Sequence, residues 1–178
     1  MAKDKNAKAD PAGRPRDPLK KLRKMIKNTR VAMLTTVSAD GALRSRPMAI
    51  PGKGLDGALW FVTRADSSKS GEIQRNQRVN VSFASPKNGR YVSVSGTATL
   101  VQDTEAVKSL WRGEYKAWFP GGKNDPELVA LQVTVEKAEY WDDAENRMVD
   151  VGRPVAGPEA PAVPAVPQAT PTPGGAEA

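Results

Sequence analysis

Val31-Ala32-Met33-Leu34-Thr35-Thr36-Val37 runs through Ser38-Ala39 into Asp40-Gly41-Ala42, and the chain then returns as Leu43-Arg44-Ser45-Arg46-Pro47-Met48-Ala49-Ile50. The first run is dense in β-branched and apolar residues, the composition of a pleated, half-buried strand. Asp40-Gly41 is a strong hairpin turn signal. The stretch therefore predicts an antiparallel hairpin, and the same reading extends downstream. Pro51-Gly52-Lys53-Gly54 with Asp56-Gly57 is a second turn region, and Ala58 to Thr63 a third strand. Val79 to Ala84, Tyr91 to Val101 and Leu128 to Tyr140 follow as strands four to six, with Pro86-Lys87-Asn88-Gly89 as the turn between the fourth and fifth. In the sixth, Leu131, Val133 and Val135 alternate with Gln132, Thr134 and Glu136, the period of a strand with one buried face. Six strands, mostly in hairpin order, predict a mainly β fold: a closed antiparallel barrel with short helices inserted.

Three helices are expected between and before the strands. Asp17-Pro18 pairs a capping carboxylate with proline at the first helical position. Leu19, Leu22, Met25 and Ile26 then recur at helical spacing, opposite Lys20, Lys21, Arg23, Lys24 and Lys27, and the helix ends near Asn28. Asp66 or Ser67 caps a second helix running to about Asn76, with Glu72 in its early part. Asp103-Thr104 opens a third, through Trp111 to about Lys116, before the turn formers Phe119-Pro120-Gly121-Gly122. Trp111 and Trp141 read as core.

The ends differ from the middle. Residues 1–16 mix Lys, Asp, Ala, Pro and Gly without period and read as a disordered basic arm. Seven of the fifteen prolines lie beyond Gly152, so residues 152–178 read as an unstructured or polyproline-like tail. Residues 17–151 are the expected domain. Of a net charge of +7, residues 1–30 hold eleven Lys/Arg against three Asp, and the rest sixteen cations against seventeen carboxylates. Any affinity for nucleic acid or anionic membrane thus belongs to the arm, which otherwise serves as a solvated tail. DNA binding through it predicts steep salt dependence.

Several chemistries are excluded. The chain has no cysteine and no histidine. That removes disulfides, thiolate nucleophiles and metal sites, the Ser-His-Asp triad and the usual proton shuttle at neutral pH. Carboxylate-only magnesium or calcium binding stays open, but no EF-hand-like loop is visible and no metal site is assigned. No apolar run approaches the roughly 18 residues of a membrane span, and the lysine-rich start has no apolar signal region, so a cytoplasmic protein is expected.

What remains is anion chemistry. Strand alternation puts Arg44 and Arg46 on one face, where both could meet one anion, and a guanidinium fork holds phosphate oxygens bidentately. Ser67, Ser68 and Lys69 stand where a helix starts, and its free N–H groups and positive end favour an anion there. Each element has an ordinary alternative. The arginines could be an exposed strand face, Trp60 and Phe61 core or interface, and Ser67-Ser68 a helix cap.

Taken in order, Thr35-Thr36-Val37 to Asp40-Gly41, Leu43 to Met48, Leu59-Trp60-Phe61-Val62-Thr63, Ser67-Ser68-Lys69, Trp118-Phe119-Pro120-Gly121-Gly122 and Glu139-Tyr140-Trp141-Asp142 resemble the general stress protein branch of the pyridoxamine 5'-phosphate oxidase-like superfamily. The resemblance covers about Leu19 to Val149. It implies a six-stranded split β-barrel that binds FMN at a homodimer interface. It further implies that Arg44, Ser45, Arg46, Pro47 and Met48 line the flavin, with an arginine facing the phosphate. Trp60, Phe61, Val62 and Thr63 match the next strand, Ser67, Ser68 and Lys69 the phosphate-binding turn, and Trp118 an aromatic approaching the ring from the partner subunit. The chain departs from pyridoxamine oxidases in lacking their C-terminal Arg/His substrate motif, and from haem-binding relatives in lacking histidine. FAD or a deazaflavin stays open beside FMN. Two functions are carried forward: a flavin-dependent oxidoreductase using a small-molecule electron donor and acceptor, and a non-catalytic flavin-binding module for storage, sensing or stress protection.

Overall fold

The computed structural model describes residues 18–51, 58–142 and 146–152. The readings of the basic arm, of the Asp17 cap, of the turn at 52–57 and of the tail from 153 onward lie outside the described residues. Helix α1 (Pro18–Ile26) precedes strands β1 (Val31–Val37), β2 (Leu43–Ala49) and β3 (Ala58–Arg64). Helix α2 (Ser68–Arg75) leads to β4 (Arg78–Ser85) and β5 (Arg90–Val101), and α3 (Thr104–Leu110) to β6 (Leu128–Asp142) and β7 (Arg147–Gly152).

The opening hairpin forms as its residues demand. Gly41 sits at φ +81°, and its amide bonds the Ser38 carbonyl at 2.9 Å. Register follows, with Leu34 opposite Arg46 and Thr36 opposite Arg44. All seven strands join one antiparallel sheet in the order β2-β1-β4-β5-β6-β3, with β7 added beside β6. The barrel is split and not closed: β2 and β3 are the two ends of that path, and among the described residues no ladder joins them.

Strand β6 is the spine. One edge pairs with β5 from Ala130 to Tyr140, while the other pairs with β3 through its first half and with β7 through its last. The seventh strand adds to the six expected. Its pattern is the ordinary one, with Val149 and Val151 buried and Met148 and Asp150 exposed. Helix α3 is shorter than its sequence predicts. It stops at Leu110, Trp111 turns extended, and the chain resumes as a 3-10 turn over Gly113–Ala117. A continuous helix would carry Gly113 in its interior, at a cost of about 1 kcal/mol. The break lets Trp111, Tyr115 and Phe119 pack edge-on, with ring centroids 6.0 and 6.4 Å from Trp111.

Two apolar clusters result. The concave side holds Leu34, Phe61, Val81, Val94, Leu131 and Val133, closed by Leu22 of α1 and Ile73 of α2. The amphipathic reading of α1 is thus met: Leu22 is fully buried beside Met25 and Ile26. On the other side of β3 and β6, Val107 and Leu110 of α3 pack with Tyr115, Phe119 and Ala130 over Trp60 and Val62.

Candidate functional site

The site begins where β3 hands over to α2. Ser67 is the N-cap, its backbone extended at ψ 150°, and its side chain accepts from the Ser70 amide. Both hydroxyls at this helix start are engaged: Ser67 Oγ and Ser70 Oγ donate to the Arg64 carbonyl at 2.9 and 2.7 Å. Ser67 therefore ties helix to strand, while Ser68 is exposed. Lys69, half-buried in the first turn, makes no hydrogen bond or ion pair among the described residues. Burial, and then the like charge of Arg46, holds its ammonium below the ordinary lysine value, against the pull of Glu72 and Asp66.

Arg46 enters from β2. Alternation puts Arg44, Arg46 and Met48 opposite Thr36, Leu34 and Ala32, the concave face of β1. Met48 is sealed in the core, Arg46 is half-buried at its edge, and Arg44 is exposed beyond it. The Arg46 guanidinium grips Glu72 at 2.7 and 2.9 Å and donates to Thr36 Oγ1 at 2.5 Å, while Thr36 Oγ1 donates to Glu72 at 2.6 Å. Thr36 is fully buried and Glu72 is 5% exposed. The Thr36 hydroxyl first, and then Arg46, hold the Glu72 carboxyl below the ordinary range despite its burial. Glu72 and Thr36 are the residues the sequence reading left out of the site. A single carboxylate in a polar helix carries no signal of its burial, because the partner that permits it lies 26 residues away.

One more group stands out. Thr63, on the concave face of β3 one residue before Arg64, is 4% exposed, and its hydroxyl has no partner among the described residues. Buried hydroxyls are normally bonded, so this one marks a place for a ligand or a water. An unpaired ammonium, an unpartnered buried hydroxyl and the Arg46 edge beside a helix start fit a compact anion such as a phosphate monoester.

The other expected residues are distributed differently. Ser45 and Pro47 are exposed on the convex face of β2, and Ser45 Oγ meets Thr35 Oγ1 at 2.8 Å. Phe61 is 1% exposed and belongs to the core, as does Met48. Trp60 and Val62 lie on the opposite side of β3, under α3. Trp118 is 61% exposed and lines a cleft with Ala49 and Ile50, at the far end of β2 from Arg44. Trp111 packs into the second cluster, as read from the sequence.

Comparison with known proteins follows the same lines. Residues 17–155 match the family model described as pyridoxamine 5'-phosphate oxidase like. The chain is 29% identical over 177 residues to protein bli-3 of Neurospora crassa, covering 83% of this chain and 84% of that protein. Among solved structures, it resembles the general stress FMN/FAD binding protein of the phytopathogen Xanthomonas citri at 31% identity and a TM-score of 0.60, over 69% of this chain and 87% of that one. The General Stress Protein 26 of Bacillus anthracis shares the fold at 23% identity and a TM-score of 0.63, over 74% and 97%. With the split barrel, the matching span and these relatives together, the chain belongs to the pyridoxamine 5'-phosphate oxidase-like family, in its general stress protein branch.

Proposed function

We propose that the protein binds FMN by its phosphate in the cradle between β3, α2 and β2, and acts as a flavin-dependent oxidoreductase. The observation that carries this is a pair of groups that lack a direct partner among the described residues: the Lys69 ammonium, which feels Glu72 and Asp66 but forms no ion pair, and the buried Thr63 hydroxyl, which has no hydrogen bond. The relative from Xanthomonas citri, described as an FMN/FAD binding protein, supports a flavin as the ligand. Lys69 supplies a point charge, Thr63 a short donor, and Arg46, fixed by Glu72, a guanidinium edge that needs no reorganisation on binding. Bound flavin would supply the redox chemistry, since a chain without histidine or cysteine has no side chain suited to it. The protein's own contribution is then position and electrostatics.

The site is expected to be completed by a second copy of the chain. Val31, Met33, Tyr91 and Met148 leave 50, 38, 41 and 43% of their surfaces exposed and line one groove of about 430 Å³ on the convex face of the sheet. Such a patch is the kind of surface a homodimer covers. The second reading, a non-catalytic flavin module, is favoured by the same lack of proton-transferring side chains.

Visible absorbance of freshly purified protein, with mass spectrometry of the released cofactor, is expected to identify FMN over FAD or a deazaflavin. Anaerobic NADH or NADPH should then bleach the bound flavin, and an acceptor restore it. Flavin bound but inert to both donors selects the module, and protein free of flavin that takes up none from solution removes both readings.

A further inference from the structure

A second cavity, of about 1110 Å³, lies at the other end of the hairpin. It is bounded by the end of α1, by the facing ends of β1 and β2, and by the Arg112–Trp118 segment. Ile26, Val31 and Ile50 give it an apolar wall, and the exposed Trp118 indole borders it, tilted 49° against the Tyr115 ring at 6.4 Å. Tyr115 is 3% exposed, lines the cavity, and its hydroxyl has no hydrogen-bond partner among the described residues. Burial raises the phenol above its ordinary value, so it remains a donor at neutral pH.

The charge around this cavity is lopsided. Arg23, Lys27, Arg30 and Arg112 line it against one carboxylate, Glu114. Arg112 is committed, donating to the Pro51 carbonyl at 2.9 Å and to Glu114 at 3.4 Å. Lys27 and Arg30 make no side-chain ion pair among the described residues. The carbonyls of Arg23 and Ile26 at the end of α1 are taken by the Lys27 and Thr29 amides at 3.0 and 3.1 Å, so the cations set the local potential.

From this we infer a binding site for a planar aromatic carboxylate, its ring against Trp118 and the Ile26–Ile50 wall, its carboxylate met by Arg30, Lys27 and the Tyr115 hydroxyl. An aromatic body suits an exposed indole with an apolar wall, and a carboxylate suits a guanidinium fork beside a phenol donor. The volume is ample for a small organic ligand. None of Tyr115, Lys27 and Arg30 takes part in the phosphate cradle, and Trp118, which the family resemblance assigns to a partner's flavin ring, is taken for this cavity instead.

The probe is 2-naphthoate, with 2-naphthamide as its neutral isostere, measured by calorimetry on the full chain. Saturable binding is expected, with the amide weaker by about tenfold or more. Arg30→Gln and Lys27→Gln, both at exposed positions, should each weaken naphthoate by about tenfold, and Tyr115→Phe, which keeps the packing, by severalfold. Near-ultraviolet circular dichroism establishes that each variant is folded. Trp118→Phe should keep binding but lose most of the quenching of tryptophan fluorescence. Saturating FMN should leave naphthoate affinity unchanged. Four results would overturn the assignment: no saturable binding, equal binding of the amide, tighter binding of 2-naphthyl phosphate than of naphthoate, or displacement by FMN.

Discussion

Thr63 and Lys69 are the positions where binding and stability part company. The unpartnered Thr63 hydroxyl is a cost in the free protein, so Thr63→Val should leave stability unchanged or raise it by about 1 kcal/mol. If FMN binds as proposed, the same change should weaken it by about tenfold, through loss of the donor assigned to the phosphate. Chemical denaturation and flavin titration together check the opposite signs, and equal losses in both would remove Thr63 from the cradle. Arg46 is less diagnostic, because its removal leaves Glu72 buried without its partner, at about 3 kcal/mol of stability. Glu72 also gives a signed pH dependence. Its folded value lies below the ordinary glutamate value, so its stabilising contribution is complete above that ordinary value and is lost as pH falls toward the folded one. Glu72→Gln should therefore be less stable than the native protein at neutral pH, with the gap closing below about pH 4 in acid denaturation. The sequence disclosed the cations, Arg44, Arg46 and Lys69, because their spacing on a strand and at a helix start is local. It did not disclose Glu72 as the partner of Arg46 and Thr36, because those contacts span 26 and 36 residues and leave no periodic trace.

Secondary structure was legible to the extent that pattern alone decides it. The Asp40-Gly41 hairpin, the Ser67 cap and the alternating β6 formed as read. Strand β7 was missed although Met148-Val149-Asp150-Val151 alternates, because the chain's proline-rich end overshadowed a six-residue element. Helix α3 was overextended because helical spacing does not register a glycine break that aromatic packing favours. Gly96 shows a demand of another kind, set between strands. The β5–β6 register shifts beside it, and a methyl group there would meet the Thr134 carbonyl oxygen at 2.0 Å. Gly96→Ala should cost about 3 kcal/mol in urea denaturation, by forcing two paired backbones apart. Gly113→Ala, with nothing within 4 Å of the added atom, should stay within about 0.5 kcal/mol and serves as the control.

Charge on the whole molecule now has a more definite place. Four of the eleven N-terminal cations belong to α1, whose Leu22 is fully buried, so this basic helix is part of the folded body and not of a detachable arm. The split of the barrel into two open ends also assigns the two candidate pockets to separate regions, one at the β3–α2 junction and one beneath the end of α1. The strand that binds these parts together is β6, and its place in the chain has a consequence for synthesis. Among the described residues strand β3 has no ladder partner other than β6, and Leu128 lies 64 positions after Arg64. At ribosomal speeds of about 5–20 residues per second, β3 therefore waits roughly 3–13 s for its partner to be made. Nascent chains arrested before residue 128 should be cut readily by protease within β3, and those carrying β6 clear of the exit tunnel should resist. Until then Leu59 and Phe61 of the growing chain stand open to whatever chaperone the ribosome holds near.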